Sequence, residues 1–326
     1  MYTFGRCAFL WFAGIVACMS VPVLDALAQP YPAMPIRIVV GYSPGGGADT
    51  TARMLAQKLP DHLGQPVVVE NRPGANAAIA DEYVAKSPPD GYTLLLMTAS
   101  EAITPALRKL PYDLERDLAP VSLVVTATFV LVVHPSVPAR NVKELIGLAR
   151  SHPGKLSYGS SGVGSGAHLA GALFNLMADV GTIHVPYKGG GQSSVATASG
   201  EVDLNYLTIP SALPFLSSGR LRPLAVTTAK RATLMPEIPT LDESGLAGYD
   251  RSSWHGLLAP AGVPKNIIAQ LNAVIAKVAN TSEMRDLFRK GGVEPQTTTP
   301  EQFGALIRRE IVENAKLVNL TRAKSQ

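Results

Sequence analysis

The chain has 326 residues, of which 46% are hydrophobic and 17% charged. That is enough apolar material for one large or two medium domains, and it excludes a disordered chain. A formal net charge of +4, with Lys and Arg scattered rather than clustered, excludes a nucleic-acid footprint, so no nucleic-acid partner is expected.

The N-terminus reads as an export signal. Arg6 precedes an apolar stretch from Cys7 to Leu24, and Ala26-Leu27-Ala28 forms an A-x-A cleavage site. A signal peptide over 1–28, cleaved after Ala28, is expected, with the mature chain in the periplasm. The stretch is short and contains Pro22, which argues against a membrane anchor. Ile15-Val16-Ala17-Cys18 fits a lipidation site only loosely. Cys7 and Cys18 are the only cysteines, so the mature chain has no disulfide, thiol nucleophile or cysteine metal site.

Ile36–Val40 reads as a buried strand. The helix after it carries Ala52, Leu55, Ala56, Leu59 and Leu63 on one face. Pro66–Glu70 is a second strand, Asn71-Arg72-Pro73-Gly74 turns into a helix through Lys86, and Pro88-Pro89-Asp90-Gly91 is a turn before a third strand, Tyr92–Met97. Val121–Val133 is β-branched and broken at Thr126-Ala127-Thr128, and reads as two strands passing between domains. A helix over Val142–Arg150 precedes a second strand–loop–helix unit, whose helix has Leu169, Ala172, Leu173, Leu176 and Met177 on one face. Strands follow at Thr182–Val185, Val202–Thr208 and Leu221–Thr227. Met235–Gly248 is irregular, and Trp254–Leu258 is a strand returning to the first domain. Three helices end the chain: Pro264–Asn280, Ser282–Lys290 and Pro300–Arg322, the last with Phe303, Leu306, Ile307 and Ile311 in phase. This alternation predicts α/β layers with largely parallel sheets. It divides the chain into domain 1, residues 33–127 and 252–326, and domain 2, residues 128–251.

Two stretches share one design. Ile36 to Asp49 and Leu156 to His168 each run from a strand through a Gly/Ser loop into a helix N-terminus. Such a junction points backbone N–H groups and the positive end of a helix dipole at one spot, and so is suited to an anion. Two of them suggest two halves closing on one anionic ligand.

The chain resembles the solute receptors of tripartite tricarboxylate transporters, the Bug family of periplasmic binding proteins. The resemblance rests on P-I-R-I-V-V-G-Y-S-P-G-G-G-A-D (35–49), V-V-V-E-N-R-P-G-A (67–75), P-P-D-G-Y-T-L-L (88–95) and P-Y-D-L-E-R-D-L-A-P-V (111–121). It continues in Y-G-S-S-G-V-G-S (158–165), H-V-P-Y-K-G-G (184–190) and G-E-V-D-L (200–204). It implies a two-lobed Venus-flytrap fold, type II-like, with a central ligand cleft. It also implies a monomer that captures a small carboxylate and delivers it to membrane permease subunits, with no chemistry, cofactor or metal.

A carboxylate in a cleft must recover as hydrogen bonds what it loses in hydration. Ligand contacts are expected from Tyr42, Ser43, Gly45, Gly46 and Asp49 in the first loop, and from Thr98 after the third strand. From the second loop they are expected from Ser160, Ser161, Gly162, Gly164, Ser165 and His168. The N–H groups of Ser43, Gly45 and Gly46, and those of the second loop, are the candidate donors. Asp49 also complements the helix dipole, Ser165 can cap its helix, and His168 should be neutral at a helix N-terminus. Lys188 can pair with a carboxylate, and Asp203, in the motif that by the resemblance borders the cleft, can hold a water or an ammonium. Trp254 fits a hinge or core. The sequence departs from the family pattern at Asn76-Ala77, where glycine is usual, at Thr104, and at Glu101. On the rim Glu101 would be solvated; facing the cleft it would favour a ligand with an ammonium or hydroxyl.

Other readings are weaker. Gly162-Val-Gly-Ser-Gly-Ala167 fits G-x-G-x-x-A, but the next strand ends Val185-Pro-Tyr-Lys188 without an acid for a ribose, which argues against a dinucleotide-dependent oxidoreductase. Ser161 lacks a G-x-S-x-G frame, no H-E-x-x-H occurs, and the Gly41 loop lacks the lysine of a P-loop. A carboxylate-sensing receptor for a signalling partner fits the same sequence.

Overall fold

The computed structural model describes residues 31–187 and 189–324; the expected signal peptide and Lys188 lie outside the described residues. In the first lobe, β1 (Ile36–Val40) leads to α1 (Gly47–Lys58) and α2 (Pro60–Leu63), β2 (Val67–Asn71) to α3 (Ala78–Ala85), and β3 (Thr93–Thr98) to a 3-10 turn (Glu101–Ile103) and α4 (Thr104–Leu107). The long β4 (Leu118–Val133) crosses over. Then come α5 (Val142–Ser151), β5 (Ser157–Ser160), α6 (Gly166–Ala178), β6 (Ile183–Pro186), α7 (Gly190–Ala198), β7 (Leu204–Thr208), α8 (Ile209–Ser217) and β8 (Arg222–Val226). The chain returns through β9 (Ser252–Pro260) to α9 (Lys265–Ala279), α10 (Ser282–Lys290), β10 (Glu294–Pro295) and α11 (Pro300–Lys324).

The strands run in the order β2-β1-β3-β9-β4-β7-β5-β6, with β8 and β10 also paired to β4. The sheets are mixed rather than largely parallel. The pairs β1–β2, β1–β3, β5–β6 and β5–β7 are parallel. The pairs β3–β9, β4–β9, β4–β7 and β4–β8 are antiparallel, because a chain that crosses once between lobes and comes back must lay its two crossing strands in opposite directions. The break expected at Thr126-Ala127-Thr128 does not occur. β4 is one strand that pairs with β9 through Thr128 and with β7 from Phe129 onward.

Strand alternation builds a core on each face of each sheet, since neighbouring side chains point to opposite faces. In β1, Ile36, Ile38 and Val40 pack with Leu55 of α1 and Ile275 of α9, while Val39 packs with Val84 of α3 and Phe303 of α11. In β4, Phe129, Leu131 and Val133 face Phe174 of α6, while Val130 and Val132 face Ala212 of α8. The crossing strand β9 carries Trp254, buried edge-on against Phe303 at 5.3 Å. Next to it, His255 is buried with Nδ1 2.9 Å from Thr51 Oγ1 of α1. Thr51 donates to the Gly47 carbonyl, so His255 supplies the proton in that contact.

The helix after β2 starts later than its sequence suggests. Ala75, Asn76 and Ala77 all have positive φ, 50°, 50° and 67°, a conformation that costs an L-residue roughly 1–2 kcal/mol. The turn brings Ala77 onto Gly41: a Cβ built on Gly41 would lie 2.2 Å from Ala77 Cβ. Gly41→Ala should therefore destabilise the fold by about 1–3 kcal/mol, and Ala77→Gly in the same chain should restore part of it; thermal melts of the two single variants and the double variant check this.

Burial pushes His255 down to about 4, below the ~6.5 of an unfolded histidine. The unfolded chain therefore takes up this proton first on acidification. The contribution is full above about pH 6.5 and is lost as the pH falls through about 4. His255→Asn, whose amide can still donate to Thr51, should show a smaller drop in Tm than the parent between pH 6.5 and 4.5.

Candidate ligand site at the strand ends

In the first lobe β1 lies between β2 and β3; in the second, β5 lies between β6 and β7. Each lobe thus runs from its central strand to one neighbour and then across to the other. The crevice at the carboxyl ends of such strands, where the order reverses, is where open α/β sheets bind ligands. The loop after β1 and the loop after β5 occupy the two equivalent places.

The two loops are built alike. Gly45 and Gly164 both have a φ of +84°, and each is followed by an extended helix N-cap, Gly46 or Ser165. The Gly45 N–H donates to Asp49 Oδ2 at 2.8 Å, and the Gly164 N–H donates to His168 Nδ1 at 3.2 Å. Asp49 and His168 hold the same position, the third residue of their helices, so each latches the loop in front of it. The side chain of Ser165 caps α6 by accepting the His168 N–H.

The first latch is further braced. Asp49 Oδ2 also accepts from Arg53 Nε at 2.9 Å, and Oδ1 accepts from Asn71 Nδ2 at 2.9 Å. The same Asn71 amide donates to the Tyr42 carbonyl, and its oxygen accepts from Arg53. Burial pushes the Asp49 carboxyl up, but the bonds from Arg53, Gly45 and Asn71 outweigh it and hold the group below the usual range. The second latch is neutral. His168 stacks on His184 at 4.1 Å. Burial lowers the pKa of His168, and burial plus the neighbouring His168 lower that of His184 to about 4. Ser160 Oγ lies 2.6 Å from His184 Nε2, donates to the Gly162 carbonyl and accepts the Gly162 N–H.

These bonds sort the expected site residues. Asp49 has both carboxylate oxygens engaged in holding its loop. The N–H groups of Gly45, Gly162 and Gly164 are committed to side chains, and that of Ser165 to the Gly162 carbonyl, so these residues shape the loops instead of donating. Among the described residues, the N–H groups of Ser43, Gly46, Ser161 and Val163 have no partner within the chain. Val163 was not anticipated: its side chain is apolar, and only the loop geometry shows its free N–H. Gly46 caps α1 beside Ser43, and both are exposed. Asp203 is not at this crevice. It lies ahead of β7 and accepts from the N–H and hydroxyl of Ser157, the first residue of β5, so it sits at the opposite ends of those parallel strands. The residue of β7 that does reach the crevice is Thr208, bonded to Ser211 at 2.8 Å.

Glu101 is neither on the rim nor facing the cleft; it is fully buried. Its Oε2 accepts from the Thr98 hydroxyl, whose oxygen lies 3.2 Å from the Tyr42 hydroxyl. Asn76 Nδ2 donates to the Ser100 carbonyl and to Thr104, so the two departures at Asn76 and Thr104 contact one another. The second-lobe loop lies against this region: a Cβ on Gly164 would come within 2.9 Å of Leu107 and 3.4 Å of Ile103. Ile103 also packs with Leu169 of α6 and with Leu317 and Val318 of α11.

The model of the family described as "Tripartite tricarboxylate transporter family receptor" matches residues 51–321. The chain is 37% identical to the protein BugT of Bordetella pertussis, over 97% of this chain and 96% of BugT. Among solved structures, Rpa4515 of R. palustris with adipate has a TM-score of 0.82 at 36% identity, covering 89% of this chain and 98% of that one. MatC of Rhodopseudomonas palustris with bound malate has a TM-score of 0.78 at 30% identity, covering 88% and 100%. The periplasmic binding protein BugD has a TM-score of 0.78 at 31% identity, covering 89% and 98%. The two-lobed α/β fold of such periplasmic binding proteins is the fold of this chain.

Asn71 is the test of the first latch. Asn71→Ala leaves Asp49 Oδ1 and the Tyr42 carbonyl without their donor, and should cost about 1–3 kcal/mol, read as a lower midpoint in urea unfolding with an unchanged slope.

Proposed function

This chain belongs to the tripartite tricarboxylate transporter receptor family, and from that premise we propose that it is a periplasmic receptor, not an enzyme, that captures a small carboxylate between its lobes. It passes the ligand to the membrane permease subunits of a tripartite tricarboxylate-type transporter. The observation that carries this reading is the pair of matched loops at the strand-order reversals of both lobes. Ser43 and Gly46 on one side and Ser161 and Val163 on the other offer free N–H donors beside two helix N-termini.

The donors are neutral, which suits the task. A carboxylate held by backbone N–H groups and helix dipoles regains its lost hydration without a buried cation that would need its own counterion. A receptor that must release its cargo gains nothing from a full ion pair. Adipate and malate, the ligands of two structural neighbours, are dicarboxylates and set the first panel to try. The chain's signal-like N-terminus fits delivery to the periplasm.

A thermal-shift screen of C3–C6 mono- and dicarboxylates, each beside its carboxamide, tests the reading. At least one carboxylate should raise Tm, since a ligand at 100 times its Kd adds about 2.7 kcal/mol, and its amide should not. A protein that no carboxylate stabilises would contradict it. Ser160→Ala removes the hydroxyl that pins Gly162, and should weaken the best ligand by about tenfold in calorimetric titration.

A further inference from the structure

Tyr42, two residues past β1, lies abreast of Thr98, the last residue of β3, since the parallel register of the two strands pairs Val40 with Leu96. Both therefore stand at the first lobe's strand-order reversal. Thr98 joins three groups through its hydroxyl. It donates to Glu101 Oε2 at 2.8 Å, accepts the Ser100 N–H at 3.2 Å, and lies 3.2 Å from the Tyr42 hydroxyl. Glu101 Oε2 also takes the Thr98 N–H at 2.5 Å.

The direction of this chain of bonds follows from counting protons. A threonine hydroxyl has one proton. Glu101 Oε2 receives the Thr98 amide proton, so it acts as an acceptor there, whether the carboxyl is ionised or carries its proton on Oε1. Burial, and then the nearby Asp81, hold that carboxyl well above the usual range; a proton on Oε1, which has no partner within the chain, would leave Oε2 as the carbonyl oxygen. The Thr98 proton is thus committed to Glu101. The contact between Tyr42 and Thr98 can then be made only with the Tyr42 proton, which leaves the Tyr42 oxygen as an acceptor.

We propose that Glu101, acting through Thr98, fixes Tyr42 as a hydrogen-bond acceptor toward the ligand, so that the site selects carboxylates carrying a donor, a hydroxyl or an ammonium, near the carboxylate. Glu101 is a positioning residue: it reaches the ligand through two hydroxyls. The proposal rests on the carboxylate-receptor reading above and deepens it. A ligand without a donor leaves the Tyr42 oxygen unpaired in a desolvated place, and a site built around such a bond discriminates against the analogue that lacks it.

The test is calorimetric titration of the purified protein with matched probes: succinate against malate and aspartate, and propionate against lactate. In the parent protein the hydroxyl or amino member of a pair should bind at least about tenfold tighter than its plain partner. Tyr42→Phe should bring that ratio to within about twofold, and so should Thr98→Val, which removes the hydroxyl that takes the Tyr42 proton. Glu101→Gln should keep the preference, because the amide oxygen still accepts from Thr98; this separates the relay from a general loss of fold. Equal binding within every pair, or a ratio that Tyr42→Phe does not move, overturns the proposal and leaves the receptor reading standing. Absence of binding by every carboxylate overturns both.

Discussion

A left-handed glycine whose N–H is latched to the third residue of the following helix recurs in both lobes, at Gly45–Asp49 and at Gly164–His168. A loop this tight carries several N–H groups close together, and each must be bonded within the chain or offered outward. The latch fixes which. It removes the glycine N–H from the crevice, sets the loop, and leaves the N–H groups of Ser43, Gly46, Ser161 and Val163 for an incoming anion. The two latches differ in charge: one is a buried carboxylate braced by Arg53 and Asn71, the other a neutral imidazole stacked on a second one. Neither places a free full charge at the point where a carboxylate would sit, so affinity comes from oriented dipoles.

The crossing strands connect those loops to the rest of the molecule. β4 passes from one sheet to the other without a break, and β9 lies antiparallel beside it. His255 of β9 touches Thr51 of α1, the helix that the first loop leads into. Arg251, just before β9, is buried against Glu310 and Asn314 of α11, and α11 continues to Leu317 and Val318, which pack on Ile103 and Leu169. Residues at the junction of the lobes are thus tied to both, through packing as well as through the strands.

Much of the fold was legible because it rests on local rules. Ile36–Val40, the third strand, the second-lobe strands and the three terminal helices follow from hydrophobic period and turn chemistry, within a residue or two. The continuity of β4 was not legible: Thr126, Ala127 and Thr128 look like a break, and pairing with β9, joined at Thr126 by β10, keeps them extended. The left-handed run at Ala75–Ala77 was hidden because neither alanine signals positive φ; its physical reason is the approach to Gly41. In the site, the Gly/Ser loops could be read, but not which of their N–H groups are already taken. Asp49 and His168 were ambiguous for the same cause, since a polar residue in a first helical turn can face a ligand or its own loop. Asp203 was misplaced because a motif gives neighbours in sequence, whereas the end of the strand decides the side of the sheet. Glu101 could not be placed at all, because a lone glutamate in a polar turn gives no sign of burial.

The central claim is that the two latched loops clamp one carboxylate between them. A crystal structure of the protein with a bound carboxylate tests it most directly. The account predicts carboxylate oxygens within hydrogen-bond distance of the Ser43 N–H on one side and of the Ser161 or Val163 N–H on the other, with Gly45 still bonded to Asp49 and Gly164 to His168. A carboxylate bound elsewhere with those N–H groups facing only water, or one that breaks both latches to reach the glycines, would contradict it.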